Sequence, residues 1–93
     1  MVVDLVLAIM AAQTVEVYVS THRGDAVPYA RVTMSRNGQP QPPAPTTDRD
    51  GRVDFTVACA QGIKFRAYYV SGTLNNNSDE GACARRVFLK FWP

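Results

Sequence analysis

The stretch PTTDRDGRVDF, Pro45–Phe55, sets Asp48, Asp50 and Gly51 in one polar knot ahead of a run of alternating apolar residues. It reads either as a cation-binding loop between helices or as a corner between strands, and the two readings give different folds. A calcium loop of the helix-loop-helix type needs oxygen ligands at alternate positions, a glycine sixth and a bidentate glutamate twelfth. With Gly51 sixth, Asp48 and Asp50 fit, but Thr46 stands first and Val57 stands twelfth. The ligand that closes such a site is missing, and no helical periodicity flanks it. Asp50-Gly51 is read as a hairpin turn, with the Asp48 carboxylate bonding nearby backbone amides, and no metal is expected.

Outward from this corner, apolar residues recur at every second position, the period of a strand with one buried face. Val53, Phe55 and Val57 oppose Arg52, Asp54 and Thr56, and Val15, Val17 and Val19 oppose Glu16, Tyr18 and Ser20. Ala30, Val32 and Met34 form a third inward set; Ile63, Phe65, Ala67 and Tyr69 a fourth; Val87, Leu89 and Phe91 a fifth. A weaker strand is expected around Pro43–Thr47. Asn37-Gly38 suits a tight turn with positive φ, and the proline-rich stretch after it is confined to an edge or a surface crossing. Gln61-Gly62 is a second tight connection. Gly72–Ala82, polar and bounded by glycines, is expected to be a mobile loop. Six to seven strands joined by turns predict an all-β antiparallel sandwich.

Ninety-three residues make one domain at most. Such a chain buries roughly 60–65% of the surface its unfolded form exposes, so a covalent staple would matter. The formal charge of +2 comes from scattered residues, and no run of like charge calls for nucleic acid. Cys59 and Cys83 belong to no CxxC pair, and His22 alone cannot complete a zinc set with them. In an exported protein they pair as a disulfide, contributing about 3 kcal/mol; in a cytosolic one they are two buried thiols. The segment MVVDLVLAIMAA, residues 1–12, is apolar apart from Asp4 and shorter than the roughly 20 residues a membrane span needs. It has the apolar centre and small Ala11-Ala12 end of a secretory signal without the basic start. It reads as a signal remnant, an apolar helix docking on a partner or an extra strand, and the expected division is an apolar segment over 1–12, signal-like or an assembly helix, and a β-sandwich domain over 13–93.

The succession GDAVPYARVTM, TTDRDGRVDFTV and GIKFRAYYV resembles the prealbumin-like, carboxypeptidase-regulatory-like group of Ig-like sandwich domains. The matching elements are Pro28, Ala30 and Val32; Thr47, Asp48, Gly51 and Phe55; and Gly62, Phe65 and Tyr68, over roughly residues 14–70. Tyr29 stands where such domains often carry glycine, and the proline-rich insertion is long. The resemblance implies a non-catalytic module of an exported protein: a spacer, adhesion unit or assembly part.

The inventory of reactive groups agrees. A prealbumin-like hydrolase would need several histidines and a C-terminal Tyr-Arg-Gly-Ser; this chain has one histidine and ends in FWP. No nucleophile has an evident base, so no enzyme activity and no cofactor are expected. Arg23-Gly24-Asp25 matches the integrin-recognition tripeptide but is also ordinary turn chemistry. Asn76-Asn77-Ser78 is a glycosylation sequon in an expected loop. The outward strand faces carry large aromatics among cations, a mixture enriched where proteins bind partners. The residues assigned to a partner-binding face are Tyr18, Arg66, Tyr68, Phe88, Lys90 and Trp92. The expected function is a structural or protein-interaction module of an exported or surface assembly, such as an appendage, virion or envelope complex. The alternative is a carbohydrate-binding module using Tyr68, Phe88 and Trp92, or else these aromatics are cross-strand packing.

Overall fold

The structure is a computed structural model, and it describes residues 12–60, 62–71 and 74–92. The apolar N-terminal segment therefore lies outside the described residues apart from Ala12, as does Gln61. Seven strands follow in order: β1 (Gln13–Thr21), β2 (Arg31–Arg36), β3 (Gln39–Gln41), β4 (Arg52–Val57), β5 (Ile63–Ser71), β6 (Leu74–Ala82) and β7 (Arg86–Phe91). They form a three-stranded sheet, β4-β1-β7, and a four-stranded sheet, β3-β2-β5-β6. All pairings are antiparallel except β1 with β7, the first and last strands, which run parallel.

The inward sets meet between the sheets. Val15, Val17, Val19, Val87, Leu89, Phe55 and Val57 from one sheet close on Val32, Ile63, Phe65 and Ala67 from the other. Phe55 and Phe65 touch across the gap at 5.0 Å between ring centres, tilted at 59°. Burying each such side chain contributes roughly 1.5–3 kcal/mol. The core is joined covalently as well: Cys59, after β4, is bonded to Cys83, after β6, so the disulfide ties one sheet to the other.

The Pro45–Phe55 corner is a turn. Asp48 Oδ1 accepts from the Asp50 and Arg52 backbone N–H groups at 2.9 and 3.0 Å, and Asp48 N–H donates to Arg52 O at 2.9 Å. Gly51 has φ +75°, and a Cβ there would stand 2.6 Å from Val19 O, so both the backbone angle and the close approach require glycine. Just before the turn, Thr47 is buried; its hydroxyl accepts from Ala30 N–H at 2.9 Å and donates to Val27 O at 2.7 Å. That one side chain pins the segment entering β2.

Three expectations about segments are corrected. The weak strand lies at Gln39–Gln41, paired to β2 beyond the Asn37-Gly38 turn, whereas Pro43–Thr47 supplies only an isolated bridge, Thr46 to Arg31. Proline nitrogens have no hydrogen to give a ladder, which explains the interruption. The expected loop over Gly72–Ala82 contains β6, a nine-residue strand paired to β5. It does not alternate because it is an edge strand with a bulge opposite Arg66–Tyr68. At the bulge Ser78 Oγ turns inward, accepting from Ala67 N–H at 2.8 Å and donating to Asp79 O at 2.7 Å. The sequon serine is thus a buried strand residue, not part of a solvated turn.

Candidate functional site

The six residues assigned to one face divide between the two sheets. Arg66 and Tyr68 belong to β5, and Tyr18, Phe88, Lys90 and Trp92 belong to β1, β7 and the residue following β7. The two sheets bury their inner faces together, so the outward side chains of β5 and those of β1 and β7 look in opposite directions. The structure therefore brings four of the six together and places the other two on the far side.

On the three-stranded sheet, register sets Tyr18 between Arg52 and Phe88, Glu16 between Asp54 and Arg86, and Ser20 beside Lys90. The Tyr18 and Phe88 rings stack with centres 5.3 Å apart and planes 16° apart, and the Arg52 guanidinium lies 5.7 Å from the Tyr18 ring centre. The Tyr18 hydroxyl donates to Glu16 Oε1 at 2.7 Å. Glu16 also meets Arg52 at 3.7 Å and Arg86 at 3.4 Å, while Arg52 grips Asp54 with two bonds of 2.9 and 3.1 Å. The hydrogen bond from Tyr18, helped by the charges of Arg52 and Arg86 and opposed by partial burial, holds the Glu16 carboxyl below its ordinary value. The same bond raises the Tyr18 phenol, and the bond from Arg52 lowers Asp54. This half of the face is a fixed polar frame around an aromatic pair.

Further along β7 the frame opens. Asp79 of β6 accepts from Lys90 backbone N–H at 3.0 Å through Oδ1 and from the Trp92 indole N–H at 3.5 Å through Oδ2. Lys90 Nζ lies 5.6 Å from the Trp92 ring centre, and the His22 ring packs at 6.5 Å and 28°. Phe88 remains 69% exposed and Trp92 59% exposed. Bulky rings held in place by neighbours yet open to water supply contact area with little entropy left to lose on binding.

Sequence reasoning missed Glu16, Arg52, His22 and Asp79 as members of this face. Glu16 and Arg52 were visible as outward strand residues, but only the β1–β4 register brings them together. Asp79 was hidden in the segment read as a loop. The Arg23-Gly24-Asp25 turn is exposed at the end of β1, with Thr21 Oγ1 accepting from the Arg23 and Asp25 N–H groups at 3.3 and 3.2 Å. These are bonds that an ordinary turn makes.

The fold so far defines a class: a small, disulfide-linked, two-sheet β-sandwich. In comparisons with known proteins, no family model, no curated protein and no solved structure matches the chain.

Proposed function

We propose that the chain is a non-enzymatic interaction module of an exported or surface assembly, built on a prealbumin-like, Ig-like sandwich. One observation carries the reading: Phe88 and Trp92 present most of their ring surface to water on a sheet whose neighbouring side chains are already fixed. Ordinary packing would bury such rings, and exposed apolar patches rimmed by polar groups mark sites where proteins meet. Support for export comes from the Cys59–Cys83 disulfide, because such bonds persist in oxidising compartments. With both cysteines bridged and the one histidine exposed in a turn, no activated nucleophile stands among the described residues.

The partner is a protein, either another copy or a neighbour in the assembly, contacting the strip from Tyr18 through Phe88 and Lys90 to Trp92. A photo-activated cross-linker placed at Lys90 tests this, with the same group at Lys64 on the opposite sheet as the control. Adducts should form from position 90, and substituting Phe88→Ser with Trp92→Ser should abolish them. Equal labelling from both positions, or adducts indifferent to the double substitution, would reject the strip as the contact.

A further inference from the structure

We infer that the opposite face, on the four-stranded sheet, is a binding site for an acidic saccharide, a pyranose unit carrying carboxylate or sulfate. Two hollows adjoin there. One, of about 260 Å³, is lined by Thr33, Ser35, Pro40, Lys64, Arg66 and Glu80, and the other, of about 240 Å³, by Tyr29, Arg31 and Thr46; Tyr68 borders both. Each falls below the range of drug-sized pockets and suits a single small ring. Register sets Arg31 beside Tyr68 and Thr33 beside Arg66, so the two hollows follow one another along β5 at about 7 Å, two residues of strand rise.

The chemistry of the walls selects the ligand. Lys64 and Arg66 face one carboxylate, Glu80, which lies 3.8 Å from Lys64 Nζ and 3.5 Å from Arg66 Nη2, while in the other hollow Arg31 Nη1 donates to Ala44 O at 2.9 Å and meets no carboxylate. Two cations share that one carboxylate, and although Arg66 Nε is enclosed, the side chain as a whole is 40% exposed, so its terminal N–H groups open to the hollow. A guanidinium with hydrogen-bonding capacity left over favours a carboxylate or sulfate oxygen. Tyr29 and Tyr68 add flat aromatic walls, against which the C–H face of a sugar ring packs by dispersion while its hydroxyls stay wet.

Tyr29 supplies an independent argument. Its φ is +60°, a left-handed conformation that favours glycine, and it is 66% exposed. The backbone is held there by Tyr29 N–H donating to Thr47 O at 3.0 Å. A bulky ring that neither suits its backbone nor packs into a core, yet lines a hollow, is the signature of a side chain kept for contact. This inference stands apart from the protein contact on the other sheet, since the two faces share no residue.

The test is a titration of isotope-labelled protein followed by amide NMR shifts at low salt. The probes are a galacturonate tetrasaccharide, a heparin-derived tetrasaccharide, a neutral galactose tetrasaccharide and a tetra-glutamate peptide. At least one acidic sugar should move the Arg31, Thr33, Arg66 and Tyr68 amides and bind tenfold or more tighter than both controls, with affinity falling as salt rises. The tighter of the two names the anion. Arg66→Gln and Tyr29→Gly should each weaken it fivefold or more while shift dispersion stays native. No perturbation of this face by either acidic sugar overturns the inference, as does equal binding of the peptide, which would make the face a bare electrostatic surface.

Discussion

At the scale of single residues, two side chains near the β2 entrance act in opposite senses. The Thr47 hydroxyl is wholly enclosed and satisfies both Ala30 N–H and Val27 O. Thr47→Val keeps the shape but strands those groups, so we expect a loss of about 1–3 kcal/mol, read from the urea midpoint. A midpoint unchanged within error would show that the bonds are replaced by others. Tyr29, by contrast, holds a left-handed backbone at a cost of about 1–2 kcal/mol. Tyr29→Gly relieves that cost but adds roughly 0.5–1 kcal/mol of unfolded-state freedom. Stability should therefore stay level or rise by up to about 1.5 kcal/mol, while a marked fall in melting temperature would mean that the ring supports the fold. The residue scale also shows what the sequence hides: Thr47 and Tyr29 sit in a turn-rich region where periodicity says nothing, and their roles exist only through long-range contacts, Thr47 with Val27 and Ala30 and Tyr29 N–H with Thr47 O.

Among the elements, β1, β2, β4, β5 and β7 were legible because each buries one face, and a one-sided strand must alternate. β6 was not, since its stability rests on pairing with β5 and on Ser78 at the bulge, with no regular apolar alternation of its own. The candidate face was half legible for a related reason. Alternation separates inward from outward but does not say which sheet a strand joins, so Tyr68 and Phe88 look equivalent in sequence and end on opposite sides. The register of β4, β1 and β7 also carries a pH dependence. Glu16 and Asp54 have lowered pKa values in the fold, so their stabilising contribution is complete above the ordinary carboxylate range, about pH 4, and is lost as pH falls through the lowered values. Urea midpoints at pH 7, 5 and 3 should fall chiefly across the last interval, and Glu16→Gln should flatten that fall. An identical acid slope in the variant would move the linkage to other groups.

For the molecule as a whole, a chain this small gains from every cross-link. The Cys59–Cys83 bond joins the two sheets across a sequence separation of 24, and constraint of the unfolded chain contributes about 3 kcal/mol. Replacing both cysteines by serine should lower stability by that order, seen as a shifted urea midpoint, and an unshifted midpoint would show that the core suffices alone. The sandwich then presents two outer faces of different character: an aromatic strip fixed by ion pairs and a cationic pair of hollows walled by tyrosines. The claim that the strip is a contact surface, and not part of what holds the domain together, is tested most directly by comparing unfolding free energies. The double variant Phe88→Ser with Trp92→Ser breaks two exposed aromatic contacts, Tyr18–Phe88 and His22–Trp92, so at about 0.2–1 kcal/mol each we expect a loss of no more than about 2 kcal/mol, against about 2–5 kcal/mol for Leu89→Ala in the core. A loss in the double variant as large as that of Leu89→Ala would contradict the account and return both rings to structural packing.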